Sequence, residues 1–263
     1  MRFAVSIPPF TDPRVIVDLG VLAEESGWDG VLLWDHVQWD THLELDVHDP
    51  WAMLSAMAVR TERVVLGTGV TPVSRRRPQI LAKQVVTLDH LSNGRAMLGV
   101  GLGEPSDADF GVFGDPEDYA TRAAMTDEAL DLLDAVFRGD AVVHHGAHFD
   151  VEAQLRPASV QRPRPRIIVA GTHPRRKPLE RALRWDGFLP ISYTSFLTPD
   201  DLAAFLDGVE RPEGWELWAA RAPGIAVADF EAAGVSWLVD GAWPQGDDWV
   251  GELRGRIAAG PPR

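Results

Sequence analysis

The chain has 263 residues, a length that suits one large α/β domain or two small ones, and 45% of its residues are hydrophobic while 24% are charged. This is ordinary globular composition, which excludes a disordered chain and a coiled coil. A formal net charge of −14 repels phosphate backbones and anionic lipids, so nucleic acids and membranes are excluded as expected partners.

Eight short apolar runs alternate with longer amphipathic runs along the chain. The predicted strands are Phe3–Ile7, Gly30–Trp34, Val64–Val70, Ala96–Gly101, Arg166–Ala170, Gly187–Ile191, Glu216–Ala220 and Ser236–Val239. The predicted helices between them include Val15–Ser26, Pro50–Thr61, Gln79–Leu91, Thr121–Phe137 and Pro199–Leu206. Eight buried strands in about 250 residues predict an α/β fold, a (β/α)8 TIM barrel, as one domain over residues 1–263. A doubly wound open sheet is the alternative.

Two segments fall outside this alternation. Glu104 to Tyr119 is too polar and glycine-rich for a helix and is predicted to be a long loop after the fourth strand, where long loops tend to be functional. The stretch Val142–Val151 is predicted to form a small hairpin outside the barrel.

Targeting signals and cysteines are absent from the sequence. Without cysteine there is no disulfide, thiolate metal site or cysteine nucleophile. The chain begins Met1-Arg2-Phe3 and enters an apolar run without a leader, and no apolar stretch approaches the roughly 20 residues that cross a bilayer. We therefore expect a soluble cytoplasmic protein.

Asp35 and His36 close the second predicted strand, and in a barrel the chemistry belongs at such carboxyl ends. An imidazole beside a carboxylate there is typical of a general base, and a structural pair that caps the next loop is the alternative. A downstream histidine and carboxylate cluster matches no metal-ligand spacing, so we expect a solvated loop there and no metal site. Its members are His42, Asp46, His48 and Asp49.

A glycine-rich segment, Gly99-Val100-Gly101-Leu102-Gly103-Glu104, ends the fourth predicted strand. It differs from a dinucleotide-binding fingerprint because the last glycine is misplaced, no helix follows, and nearby carboxylates would repel a pyrophosphate. We interpret it as tight backbone that lets a flat ligand lie across the barrel mouth, with Glu104 projecting over it. Plain turn chemistry is the alternative.

Two other strand ends have features of ligand sites. Gly69-Val70-Thr71 follows the third strand, where glycine allows close backbone approach or an unusual peptide geometry. The next segment, Arg75-Arg76-Arg77-Pro78, is interpreted as a charged helix start on the surface in preference to an anion site. Gly171-Thr172-His173 follows the fifth strand and precedes three cations at a helix start, which is typical of a phosphate site, with surface solubility as the alternative.

The stretch from Gln79 to Glu104 carries the most specific motifs, Leu88-Asp89-His90-Leu91-Ser92-Asn93-Gly94-Arg95 and Leu98-Gly99-Val100-Gly101. Supporting segments are Trp34-Asp35-His36, Leu66-Gly67-Thr68-Gly69-Val70, Val160-Gln161-Arg162-Pro163 and Asp186-Gly187-Phe188. Together these segments resemble the bacterial luciferase-like family of flavin- and deazaflavin-dependent oxidoreductases. The similarity covers residues 1 to about 192 well and the remainder in outline.

The resemblance implies a barrel that binds a flavin-type ring at its C-terminal mouth. In the branch that uses the deazaflavin coenzyme F420, an Asp-His pair ends strand two and a glutamate follows strand four, and Asp35, His36 and Glu104 fall on those positions. The Gly69-Val70 link falls where the family often has a non-proline cis peptide. The catalytic residues are then His36 and Glu104. Cofactor contacts are expected at Asp35, Gly69, Val70, Thr71, Gly103, Gly171, Thr172 and His173, and substrate contacts at Phe10, Trp39 and Phe110.

The favoured function is F420-dependent hydride transfer to or from a small organic substrate. His36 would remove or supply a substrate proton, and Glu104 would protonate the ring nitrogen. An FMN-dependent monooxygenase that uses reduced flavin and oxygen is the alternative, and a catalytically silent flavin-binding relative is the third hypothesis. The chain is shorter than most relatives after strand seven, at Arg221-Ala222-Pro223-Gly224, which supports the third. Relatives commonly form dimers, so the resemblance also implies a homodimer.

Overall fold

Eight parallel strands, β1 to β8 in chain order, build the centre of the molecule. The computed structural model describes residues 1–42, 44–241, 244, 246 and 248–262. The strands are β1 (Arg2–Ile7), β2 (Gly30–Leu33), β3 (Val65–Thr68), β4 (Ala96–Gly101), β5 (Arg166–Thr172), β6 (Gly187–Ile191), β7 (Glu216–Ala220) and β8 (Trp237–Gly241). Each lies on one of the predicted runs, and β4, β6 and β7 have the predicted bounds.

The sheet closes on itself. Strand β1 pairs with β2 on one side and with β8 on the other, where Arg2 lies opposite Trp237. The ring is completed by β3 and β4, where Leu66 lies opposite Ala96. A two-residue strand, Thr71–Pro72, extends the contact with β4 beyond the end of β3. The predicted (β/α)8 barrel is therefore confirmed, and the alternative of an open sheet is wrong.

Helices surround the barrel between its strands. They are α1 (Pro13–Glu25), α2 (Pro50–Ala58), α3 (Pro78–Leu91), α4 (Ser106–Asp109), α5 (Tyr119–Arg138), α6 (Arg176–Ala182), α7 (Pro199–Leu206), α8 (Val227–Ala232) and α9 (Trp249–Ala258). Four of them begin at a capping aspartate, since Asp12, Asp49, Asp118 and Asp248 accept backbone N–H groups of α1, α2, α5 and α9. Within the described residues, no helix combines the length and the apolar character needed to cross a bilayer.

Apolar side chains form two cores, one inside the barrel and one between the barrel and its helices. The inner core consists of Ala4, Leu32, Met97, Ile168, Trp218, Trp237 and Val239. The indole rings of Trp218 and Trp237 stack at a centroid distance of 4.4 Å and fill the barrel. The outer core is larger because strand residues of alternate orientation pack against the apolar faces of the flanking helices other than α4.

Charged residues close the amino-terminal end of the barrel. Glu216, at the start of β7, is buried and accepts a hydrogen bond from the guanidinium of Arg2. The Arg166 guanidinium lies 3.2 Å from the same carboxylate, and Arg2 also lies over the Trp237 ring. This end is packed, so a substrate site belongs at the opposite, carboxyl end.

The most specific sequence motifs hold the scaffold together. Asp89, fully buried at the end of α3, accepts the backbone N–H groups of Val160 and Gln161 at 2.6 and 3.0 Å. The Arg95 guanidinium donates to the carbonyl oxygens of Thr61 and Val64, both at 2.7 Å. These contacts join loops at strand beginnings, so the motifs that best reveal the resemblance serve folding.

Two excursions leave the barrel. Val142–His145 and Asp150–Ala153 pair as antiparallel strands, which confirms the predicted hairpin. The segment predicted to be an irregular loop after β4 contains the one-turn helix α4 and a 3₁₀ turn at Gly111–Phe113, so that prediction is wrong in part. A four-residue polar helix has no apolar periodicity, and tertiary contacts of Asp109 hold it in place.

Candidate active site

The predicted site residues gather at the carboxyl end of the barrel. Because all eight strands are parallel, the segments that follow β2, β3 and β4 emerge at the same rim. His36 follows β2 and Glu104 follows β4, so both lie at this mouth. The peptide bond between Gly69 and Val70 is cis, as the family resemblance implies.

Asp35 lies at the centre of a buried ionic network. Its carboxylate accepts hydrogen bonds from Arg76 Nε at 2.9 Å, from Arg75 Nη2 at 2.9 Å and from the Thr71 hydroxyl at 2.8 Å. Burial alone would raise the pKa of Asp35, but the charge and hydrogen bonds of Arg76 and then Arg75 hold it below its usual value. Asp35 and Thr71 were expected to contact the cofactor; their side chains are instead engaged inside the protein.

The arginines that follow β3 correct a second prediction. Arg75 and Arg76 were interpreted as a surface helix start, yet their side chains are only 4% and 17% exposed. Two buried carboxylates, Asp35 and Asp109, require positive charge beside them, and these guanidinium groups provide it. The arginines therefore stabilise the mouth from within.

Asp109 is a site residue that the sequence did not indicate. Its carboxylate is fully buried; Oδ1 accepts the backbone N–H of Val37 at 2.7 Å and that of Gln38 at 3.2 Å. Oδ2 accepts a hydrogen bond from Arg75 and lies 3.1 Å from His36 Nδ1. No sequence feature distinguishes Asp109 from Asp107, which is exposed on the same helical turn.

The imidazole of His36 is held on two sides. Its Nδ1 faces Asp109, and its ring meets the Trp39 indole edge to face at a centroid distance of 4.9 Å. The side chain is 12% exposed, so it retains limited access to the mouth. With Nδ1 occupied, Nε2 is the nitrogen that remains to exchange a proton with a substrate.

Aromatic rings form one wall beside His36. Phe10, Trp34 and Trp39 approach one another with ring-centroid distances of 5.6 to 6.0 Å. Trp34 Nε1 donates to the hydroxyl of Ser6 at 2.7 Å, which fixes this indole against β1. Such a wall favours planar or apolar ligands.

Phe110 does not belong to this wall, contrary to expectation. Its ring is fully buried, with the Arg122 guanidinium 4.3 Å and the Arg75 guanidinium 5.6 Å from its centroid. A Cβ at Gly103 would lie 2.6 Å from this ring, so the loop packs directly on it. Phe110 supports the mouth from below and has no surface to offer a substrate.

Glu104 keeps a carboxylate at the mouth. Its side chain is 33% exposed, it accepts a hydrogen bond from the Tyr119 hydroxyl, and Arg122 lies 3.7 Å away. Arg122 is buried and also donates to the carbonyl of Gly103 at 3.0 Å and to the Ser106 hydroxyl at 3.1 Å. The arginine thereby fixes the loop that carries Glu104.

The two tyrosines of the chain report on Glu104. The pKa of Tyr119 is raised, first by its hydrogen bond to Glu104, and that of Tyr193 is raised by desolvation and then by the Glu104 charge. We expect Glu104→Gln to lower both pKa values, because it removes the negative charge that opposes tyrosinate formation. An alkaline titration of tyrosinate absorbance measures this. The exposed Glu117→Gln of the same loop is the control, and an unchanged titration in Glu104→Gln would contradict the contact.

Glycines in β4 have packing reasons. A Cβ at Gly99 would lie 1.9 Å from the Thr68 carbonyl oxygen, and one at Gly101 would lie 2.5 Å from a methyl of Val70. The Val70 side chain, and not a ligand, therefore fills the space over Gly101. Gly69 and Gly103 remain partly exposed at the mouth.

The end of β5 offers a separate polar turn. Gly171 is required by packing, since a Cβ there would lie 2.0 Å from Pro178 Cβ, and Thr172 is partly exposed. The His173 ring packs edge-on against Phe205 at 4.8 Å. Three exposed cations follow and give this part of the rim a positive charge: Arg175, Arg176 and Lys177.

Comparison with known proteins gives these features a context. A family model described as luciferase-like monooxygenase matches residues 1–231. The F420-dependent glucose-6-phosphate dehydrogenase of Amycolatopsis mediterranei is 35% identical over 215 residues, 76% of this chain and 61% of that protein. The enzyme of the same name from Nocardia farcinica is 38% identical over 139 residues, 52% of this chain and 41% of that protein. The matched region thus spans between 41% and 61% of the length of these relatives.

Solved structures share the whole fold. The coenzyme F420 dependent tetrahydromethanopterin reductase of Methanopyrus kandleri aligns over 98% of both chains, with a TM-score of 0.76 and 18% identity. A monooxygenase from Streptomyces bottropensis aligns over 98% of this chain and 96% of its own, with a TM-score of 0.72 and 22% identity. The structures establish the likeness of fold, and the family model covers most of the sequence: the chain belongs to the luciferase-like monooxygenase family.

Proposed function

We propose that this protein is an F420-dependent oxidoreductase that transfers hydride to or from a small organic substrate. The observation that carries the proposal is the pair of proton-handling groups at one mouth, His36 beside Asp109 and Glu104 beside Tyr119. An imidazole and a carboxyl group in different surroundings can act as base and acid at the same pH.

The relatives support the same cofactor. Those matched at 35% and 38% identity are named F420-dependent glucose-6-phosphate dehydrogenases. The chain matches only part of the length of these relatives. We therefore include their cofactor in the proposal and leave their substrate out of it. We propose a small organic alcohol or carbonyl compound as substrate, since the aromatic wall of Phe10, Trp34 and Trp39 favours apolar contact beside His36.

The residues present fit a deazaflavin. The aromatic wall gives the mouth the apolar, planar character that suits a flat ring, and Gly69 and Val70, both partly exposed, permit close approach. Thr172, followed by exposed cations, offers a hydroxyl and positive charge to an anionic tail. The mouth thus has an apolar side and a cationic side, as a planar ring with an anionic tail requires.

The protein's own contribution is to orient the substrate and move protons. F420, when bound, supplies the hydride donor or acceptor. His36 Nε2 takes the proton of a substrate hydroxyl, or returns it to a carbonyl oxygen in the reverse direction. Glu104 would exchange a proton with the bound cofactor through a carboxyl oxygen at the mouth, with Tyr119 and Arg122 fixing that carboxyl group. The aromatic wall limits water around the reacting atoms.

Cofactor binding tests the proposal. We expect F420 to bind more tightly than FMN, because the proposed acid and base are those of the deazaflavin branch of the family. Fluorescence titration of the purified protein with each cofactor measures the two Kd values. Tight FMN binding without a response to F420 would favour a reduced-flavin monooxygenase. Binding of F420 without turnover of any alcohol or carbonyl compound would indicate a catalytically silent relative.

A further inference from the structure

We propose that Asp109 is a positioning residue that fixes the tautomer of His36, with the proton on Nδ1 and the lone pair on Nε2. The inference rests on the proposed function, in which Nε2 exchanges a proton with the substrate. It assigns the role to a residue on α4, a segment of four residues after the glycine-rich strand.

The contacts of Asp109 leave it little freedom. Oδ1 accepts two backbone N–H groups, those of Val37 and Gln38, directly after His36 in the chain. Oδ2 accepts from Arg75 and faces His36 Nδ1 at 3.1 Å. The carboxylate therefore binds the histidine and the backbone that carries it, so ring and main chain are aligned by one group.

Charge and hydrogen-bond chemistry set the tautomer. An ionised carboxylate only accepts hydrogen bonds, so a neutral imidazole beside it must present N–H at Nδ1. The buried part of the network contains two carboxylates, Asp35 and Asp109, and two guanidinium groups, Arg75 and Arg76. The carboxylate of Asp49, which is 47% exposed, lies 3.5 Å from Arg76 at its edge. The buried charges balance without the imidazole, so they do not require His36 to be protonated.

One loop thereby serves both proton-handling groups. Glu104 and Asp109 lie in the same short segment after β4, and Arg122 fixes its beginning through the Gly103 carbonyl. Arg75 fixes its end through the Asp109 carboxylate. The acid and the partner of the base therefore keep a constant separation as long as this segment keeps its fold.

Asp109→Asn is expected to change the tautomer of His36 while residue 109 keeps its contacts with the backbone of Val37 and Gln38. The asparagine oxygen can still accept the N–H groups of Val37 and Gln38, which leaves the amide NH₂ facing His36 and Arg75, so the variant also loses its ion pair with Arg75. The NH₂ group donates, so Nδ1 must accept and the proton moves to Nε2. Asp107→Asn is the matched control, because it removes the same charge from the exposed face of the same helical turn.

The tautomer is measured first, without cofactor. Long-range ¹H–¹⁵N spectra at alkaline pH distinguish imidazoles protonated at Nδ1 or Nε2, and the signal lost in His36→Gln identifies the residue. We expect Nδ1–H in the wild type and in Asp107→Asn, and Nε2–H in Asp109→Asn. A wild-type His36 with its proton on Nε2 would overturn the inference even if Asp109→Asn failed to fold.

Turnover is measured second. We expect Asp109→Asn to lower kcat by roughly 10²–10⁴-fold, the range for an imidazole that cannot accept a proton. Its Kd for F420 should equal the Kd of Asp107→Asn. Full kcat with an inverted tautomer would refute the role of Asp109 in the reaction. Failure of the wild type to bind F420 would refute the proposed function. It would not affect the tautomer assignment, because the spectra are recorded without cofactor.

Discussion

Replacement of His36 by alanine is expected to lower kcat by roughly 10²–10⁴-fold, the usual contribution of a general acid or base. The variant loses the imidazole whose Nδ1 faces Asp109 and whose Nε2 serves the substrate. Cofactor affinity should change far less, because ring binding is assigned to the backbone at Gly69 and Val70 and to the aromatic wall. Steady-state kinetics and F420 titration on one preparation measure both quantities.

The same loop supplies a control for this substitution. His42 is exposed six residues later, so His42→Ala removes an imidazole without touching the network. We expect His42→Ala to retain wild-type kcat. If His36 only caps its loop, His36→Ala would lower Tm and keep full activity per folded molecule. That outcome would remove His36 from the mechanism.

Most of the barrel is predictable because its strands are buried on both faces. A run such as Ala96–Gly101 stays apolar throughout, and glycines and prolines bound the helices that follow each strand. The helix α4 escapes prediction for a physical reason. Its four residues include two aspartates and lack an apolar face, and the helix depends on the contacts of Asp109 with Val37 and Arg75.

The candidate site is predictable only in part. His36 and Glu104 are found from their position at strand ends, where barrel enzymes place their chemistry. Asp109 and Arg75 cannot be found in this way, because they pair across 34 residues of the chain. Asp109 contacts His36 across 73 residues. A sequence pattern shows that charges are present, but it does not show which of them the fold buries together.

The stability of the mouth depends on Asp35. We expect Asp35→Asn to lower the free energy of unfolding by about 3–5 kcal/mol, the usual cost of removing one partner from a buried ion pair. The substitution leaves the guanidinium groups of Arg75 and Arg76 without their shared carboxylate, and the Arg75 side chain is only 4% exposed. Asp18→Asn is the matched control. Its partner Arg60 is 49% exposed, so its loss should cost no more than about 1 kcal/mol.

The pH dependence of unfolding gives an independent test of this network. The pKa of Asp35 is held below its usual value by Arg76 and Arg75, against the opposing effect of burial. A group whose folded pKa is depressed contributes stability above its unfolded pKa, about 3.9, and that contribution is lost as the pH falls through the folded value. Urea unfolding from pH 7 downward should therefore show the wild type and Asp35→Asn converging below about pH 4, while Asp18→Asn stays parallel to the wild type. A gap between wild type and Asp35→Asn that persists unchanged into acid would mean that the variant loses packing, and that the charge of Asp35 contributes nothing to the fold.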